Sequence, residues 1–204
     1  MTRFAYTRAT EAREDQVTLQ MDYEIDISND QSLLSVDTES LARAVHHALQ
    51  TEEVASAVIS VTVVDNAAIH RLNREYLAHD YPTDVISFQL EHSLARDDGD
   101  DETPAEANPG APAGRAAGAI VEGDIIVSAE YALESAERIG WSADNELLLY
   151  VIHGLLHICG YDDLTPGEKQ IMRTRERAIL GEQGLNPCYP DDTASTDGTE
   201  DSSG

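Results

Sequence analysis

The sequence predicts an α+β fold: a single domain with a mainly four-stranded mixed sheet packed against helices and a metal site on a buried central helix. Three observations carry this. Four short runs rich in β-branched or alternating apolar residues are interleaved with helical periodicity. The last third of the chain reads as helix alone, and one of its helices, residues 143–159, is apolar on nearly every side. With 204 residues, 41% of them apolar but only 5% aromatic, the chain can bury a core of its own, and that core is aliphatic.

Residues 1–16 lack periodicity and are expected to form a loose arm, ahead of a globular domain over 17–186. From Thr18 to Ile27, the residues Leu19, Met21, Tyr23, Ile25 and Ile27 fall on one face with polar residues between them, a half-buried strand. Leu41, Val45 and Leu49 then recur every fourth residue within 38–50, with Asp37 or Thr38 as N-cap, an amphipathic helix. Adjacent positions on a helix point about 100° apart, so His46 and His47 on it read as solvated or packed side chains, not as a ligand pair. The β-branched stretch Ala57–Val64 is a second strand, closed by Asp65-Asn66.

A helix over 67–77 follows, with Ile69, Leu72, Asn73 and Tyr76 at helical spacing. Pro82 fixes a turn at Asp80–Thr83, and Asp84–Leu90 is the third strand. Residues 91–118, with Asp-Asp-Gly-Asp-Asp, three prolines and alternating Ala and Gly, cannot bury enough apolar surface to order themselves and are expected to be a disordered acidic insertion. Gly123–Ser128 is the fourth strand, with an apolar centre suited to burial on both faces. Helices are expected at 129–138, 143–159 and 166–181, and 187–204 as a disordered acidic tail.

The charge is lopsided: 13 Arg and Lys against 39 Asp and Glu give −26, and Lys169 is the single lysine. The insertion and residues 190–204 carry ten of those net charges, leaving sixteen on the other 161 residues. Nonspecific attraction to a phosphate backbone is therefore poor, and no DNA partner is expected. Two cysteines, Cys159 and Cys188, cannot build a disulfide framework and suit a reducing compartment. No run approaches the ~18 apolar residues of a membrane span, so a soluble, cytoplasmic protein without a membrane partner is expected.

The chemistry concentrates in His153-Gly154-Leu-Leu-His157-Ile-Cys159-Gly160-Tyr161-Asp162-Asp163. Four residues apart on a helix, His153 and His157 lie about 40° apart around its axis, and both imidazoles can face one ion. Gly160 permits the left-handed conformation that ends a helix, which lets the chain double back and offer Asp163 as a third ligand with one position left open. Two polar rings on an aliphatic helix are expensive to desolvate without a shared partner. Two imidazoles and a carboxylate suit one Zn2+, which brings the pKa of bound water to ~7; nickel, manganese and iron fit the same ligand types. Cys159 projects to nearly the opposite side of the helix and belongs to the core. A metalloprotease of the H-E-x-x-H type lacks its base here, because Gly154 stands where the glutamate would be.

Three blocks in fixed order resemble the YbeY family of bacterial endoribonucleases: Leu72-Asn73-x-x-Tyr76 running into Asp80-x-Pro82-Thr83-Asp84-Val85-Ile86-Ser87-Phe88; Gly123-Asp124-Ile125-x-x-Ser128; and His153-Gly154-x-Leu156-His157-x-x-Gly160-Tyr161-Asp162-Asp163. The resemblance covers roughly residues 20–182. It implies a metal-dependent hydrolase of single-stranded RNA that acts in rRNA processing, including the 16S rRNA 3′ end, and in ribosome quality control. The implied partners are rRNA, the small ribosomal subunit and ribosomal proteins. His153 and His157 match two zinc ligands. Asp163 stands where the family usually has a third histidine, and Asp162 matches the acid before it, a candidate for orienting a histidine. Family members commonly carry an arginine after the tyrosine of the first block, where this chain has Leu77, so Arg74 or Arg71 is the candidate phosphate contact, with a solvated helix face as the plain alternative.

Thr83, Asp84 and Ser87 are candidates for lining the cleft. Arg173, Arg175 and Arg177 read as surface charges that balance Glu168, Glu176 and Glu182. Two other functions stand beside the nuclease: a non-catalytic ribosome-assembly binding factor with a structural metal, and a zinc hydrolase of another substrate class. On the acidic body, RNA binding is expected to lean on the metal, a few arginines and ribosomal proteins.

Overall fold

The computed structural model describes residues 2–7, 22–94 and 114–189. In chain order these form β1 (Thr2–Thr7), β2 (Asp22–Asn29), α1 (Thr38–Thr51), β3 (Ser56–Val64), α2 (Asn66–Leu77), β4 (Val85–Leu94), β5 (Ala119–Ser128), α3 (Ala129–Ile139), α4 (Ala143–Ile158) and α5 (Pro166–Gly181). The strands make one mixed sheet in the order β1-β2-β3-β5-β4. The inner strands β2, β3 and β5 run parallel, while β1 and β4 pair antiparallel at the two edges.

The α+β class is as expected, but the sheet has a fifth strand, and it lies inside the expected loose arm. Thr2–Thr7 pairs in register with β2, from Thr2 opposite Ile27 to Thr7 opposite Asp22. An edge strand draws its hydrogen bonds from a neighbour's backbone and needs little apolar alternation of its own. Phe4 packs on the core and Arg3 pairs with Glu24, two anchors too sparse to read as a pattern.

The expected insertion is trimmed at both ends. β4 runs on to Leu94, pairing Glu91–Leu94 with Ala119–Glu122 beyond a bulge at Gln89–Glu91, and residues 114–118 turn into β5. Leu90 and Leu94 are exposed, so this extension left no burial pattern in the sequence. At the other end, Tyr189 is buried, which brings the first residues of the expected tail into the fold. The remainder of the expected arm, insertion and tail (8–16, 95–113 and 190–204) lies outside the described residues.

Side-chain caps start the helices where hydrogen-bond donors would otherwise be orphaned: Asp37, Asp65, Ser128, Ser142 and Thr165 each accept a backbone N–H of the first turn. Helix α4 packs on β4 and β5 and also meets α1, α3 and α5. Its Ile152, Leu155, Leu156 and Ile158 are fully buried, each contributing about 1.5–3 kcal/mol of transfer free energy. Two glycines set how close it lies. A Cβ on Gly154 would come within 2.9 Å of Ile125 Cγ2 and 3.0 Å of Val85 Cγ2, and one on Gly123 would meet Ile158 Cδ1 at 2.6 Å. No described helix is long and apolar enough to cross a membrane.

Candidate metal centre

His153 and His157 sit one turn apart on α4, with their Nε2 atoms 3.0 Å from each other. The helix stops at Cys159; Gly160, at φ 86°, takes the left-handed turn that sends the chain back. Asp163 thereby returns to the histidines, its carboxylate oxygens 3.9 Å from each Nε2. All three offer ligand atoms within 4.8 Å of one another.

The opposite edges of the rings fix their tautomers. His157 Nδ1 lies 3.0 Å from the Tyr161 carbonyl oxygen, which only accepts, so this nitrogen donates. His153 Nδ1 donates to Glu176 Oε1 at 2.7 Å. Both Nε2 lone pairs therefore face each other beside a carboxylate, an arrangement that repels itself unless a cation or a proton lies among them. Two imidazole nitrogens and one carboxylate oxygen suit a borderline divalent cation with an open position, so the residues fit a metal. Burial disfavours protonation of both rings. For His153 the hydrogen bond and charge of Glu176 outweigh burial and raise its pKa, whereas burial and the neighbouring His153 lower that of His157.

Glu176 is the residue that sequence reasoning missed. Expected as a surface counter-charge, it is only 2% exposed. A signal was present: it lies on the face of α5 that also carries the buried Met172, Ile179 and Leu180. Arg175, expected beside it on the surface, instead reaches the buried Glu52 with Nη2 at 2.6 Å and Nε at 2.8 Å. Glu52 also takes the Tyr161 hydroxyl at 2.8 Å, and so braces the residue whose carbonyl holds His157.

Asp162 bonds within its own loop. Its Oδ1 accepts the N–H groups of Asp163 and Leu164 at 2.7 and 3.2 Å, which shapes the turn presenting Asp163 and leaves the imidazoles to Glu176 and Tyr161. Asp84 and Ser87 line the cleft in front of the histidines, and Thr83 donates to Asp84 Oδ1. The α2 residue on that wall is Leu77; Arg74 is exposed with Nη1 3.9 Å from Asp80, and Arg71 is exposed as well. Cys159 is buried and its thiol pushed up by burial, in keeping with a core role. His46 packs edge-on against Tyr23 and His47 pairs with Glu182, so that pair faces no common ligand.

Fold and site define a single-domain α+β protein built around a His-x-x-x-His helix with a returning acid that together could hold a metal. The family model "Endoribonuclease YbeY" matches residues 26–184. The chain is 38% identical over 154 residues to the Endoribonuclease YbeY of Desulfitobacterium hafniense (strain Y51), covering 76% of this chain and 87% of that one. With the Bacillus licheniformis Endoribonuclease YbeY it shares 42% over 130 residues, 64% of this chain and 74% of the other. A solution structure of a Thermotoga maritima protein aligns with 86% of this chain and 99% of its own at 23% identity, with a TM-score of 0.49. The chain belongs to the YbeY endoribonuclease family, whose members are hydrolases of RNA phosphodiester bonds.

Proposed function

We propose that this chain cuts single-stranded RNA at a centre formed by His153, His157 and Asp163, with one Zn2+ as the cation. The observation that carries the reading is the convergence of two Nε2 lone pairs and a carboxylate while both Nδ1 atoms are held by acceptors. A divalent cation there supplies Lewis-acid polarisation of a phosphate oxygen and acidifies water. The chain's own groups do the rest. Glu176 and the Tyr161 carbonyl orient the rings, and the Asp162 turn presents Asp163. Asp84 Oδ1 is held by Thr83 Oγ1 and Val85 N, both at 2.9 Å, which leaves Oδ2 to accept a proton in the cleft.

In this reading the substrate is rRNA, the 16S 3′ end included, the work is maturation and quality control, and the partners are the small ribosomal subunit and its proteins in the cytoplasm. Partner-assisted delivery follows from an acidic body and a cleft wall that offers Leu77 instead of an arginine. That same leucine favours a second reading, a ribosome-assembly factor with a structural metal. A Glu-assisted peptidase loses further ground because a Cβ at position 154 already crowds Ile125 and Val85.

Defined single-stranded RNA incubated with wild type and His153→Ala, with and without chelator, tests the proposal. Cleavage by wild type alone, abolished by chelator and restored by Zn2+, is the expected result. Equal cleavage by both proteins would mean a contaminating nuclease. No cleavage by either, with co-sedimentation on ribosomes, would favour the binding factor.

A further inference from the structure

Behind the metal centre, α3, α4 and α5 enclose a second space of about 320 Å³, near the lower end of the range for small-ligand pockets. Asp84, His153 and Asp163 line both this cavity and the open cleft, so the two spaces meet at the ligand cluster. Its members differ sharply in exposure. Glu146 and Tyr150 are 4% and 6% exposed, whereas Arg138 and Lys169 are exposed residues of the same wall.

Glu146 is the unusual member. Its Oε1 accepts the Tyr150 hydroxyl at 2.8 Å, and burial holds that phenol in its protonated, donating form. Its Oε2 is buried with no hydrogen-bond partner among the described residues. An unsatisfied buried oxygen is costly, and on a residue that lines a cavity it calls for a ligand that donates.

We propose that this cavity is a base-recognition subsite for guanine in a nucleotide flanking the bond to be cut, with Glu146 accepting from its Watson–Crick edge. The inference rests on the ribonuclease reading above. Guanine alone among the RNA bases presents two adjacent donors, N1–H and the N2 amino group, to a carboxylate. Uracil sets its N3–H between two carbonyl oxygens, and adenine and cytosine place a ring-nitrogen acceptor beside their amino group, which would confront the second carboxylate oxygen. The half-buried Tyr131 ring lies on the same wall as a stacking surface, and Arg138 and Lys169 supply cations for the nucleotide's phosphate.

Calorimetric titration of the full, metal-loaded chain with 5′-GMP, 5′-IMP, 5′-AMP, 5′-CMP and 5′-UMP tests it. GMP is expected to bind about 10-fold or more tighter than AMP, CMP and UMP, with IMP in between because it lacks the N2 amino group. The GMP–IMP comparison needs no variant. In Glu146→Gln the GMP preference should collapse while metal content stays at the wild-type level. Equal binding of all five nucleotides, or a preference that survives Glu146→Gln, overturns the subsite. RNA cleaved with no bias for guanine beside the cut overturns it too, yet spares the nuclease reading. A GMP preference in a protein that cuts no RNA supports the guanine pocket and removes the nuclease instead.

Discussion

Of the buried glutamates around the candidate metal centre, Glu52 and Glu176 have their charges met in different ways. Glu52, at the end of α1, is fully buried and holds a two-nitrogen bridge from Arg175, with the Tyr161 hydroxyl on its other oxygen. Glu176, on α5, has as its described partners the Tyr189 hydroxyl and His153 Nδ1. The guanidinium groups of Arg173 and Arg177 stack over the Tyr189 ring at 4.4 and 4.7 Å. Glu52 therefore joins helices, its charge matched inside the protein. Glu176 instead directs its charge into an imidazole of the candidate ligand cluster. One carboxylate locks the fold around the site, and the other tunes the site.

The largest expected effect comes from breaking the lock. Arg175→Met leaves Glu52 buried and unpaired, and removing one partner of such a pair destabilises by about 3–5 kcal/mol. Denaturant unfolding of the metal-free protein measures this, and the fraction that remains folded should still bind metal. A loss below about 1 kcal/mol would mean that water, not Arg175, compensates Glu52. Glu176→Gln is expected to act on the other quantity: metal affinity should fall about 10–100-fold, as for other partners of ligating histidines, with a much smaller change in unfolding free energy. Competition against a chromophoric chelator reads it. Unchanged affinity combined with a stability loss like that of Arg175→Met would erase the distinction between the two glutamates.

The same contrast shows what a sequence discloses. His153, His157, Gly160 and Asp163 were legible because their geometry is set by short spacing on one helix and its turn. The groups that orient them were not. Glu176 is 23 residues from His153, Glu52 is 109 from Tyr161 and 123 from Arg175, and such partners meet only after the helices have packed. Glu176 left the trace of a lone acid on an apolar helix face; the Tyr161 carbonyl, being backbone, left none. The inner strands announced themselves by apolar alternation, a β-branched run or a continuous apolar centre, whereas β1 was silent because its stability is borrowed from the backbone of β2.

Salt separates surface from interior on a smaller scale. Net charge of −26 sets exposed carboxylates against one another, and screening shortens their reach from ~30 Å at 0.01 M to ~3 Å at 1 M ionic strength. Unfolding free energy should therefore rise with added KCl. Because the Glu52–Arg175 pair is screened far less, wild type and Arg175→Met should rise by the same increment. A steeper rise in the variant would show that solvent reaches Glu52.

The smallest expected effect lies at alkaline pH, where each glutamate has its own reporter phenol. Burial first, and then the charge and hydrogen bond of Glu52, push Tyr161 from 10.0 up to about 12. Burial and then Glu176 push Tyr189 higher still. In both, the folded state favours the neutral phenol, so the contribution is complete below the unfolded pKa of ~10 and is lost as pH rises through the folded value. Glu52→Gln removes a carboxylate from beside Tyr161 while leaving Arg175 there, and the Tyr161 titration should move down toward 10. Glu176→Gln should move that of Tyr189 and leave Tyr161 in place. Tyrosinate absorbance against pH, with Tyr161→Phe and Tyr189→Phe to assign the two transitions, distinguishes them. If either glutamine variant shifted both phenols, the two carboxylates would form one coupled electrostatic unit spanning α4, and the metal affinity measured for Glu176→Gln would then have to respond to Glu52→Gln as well.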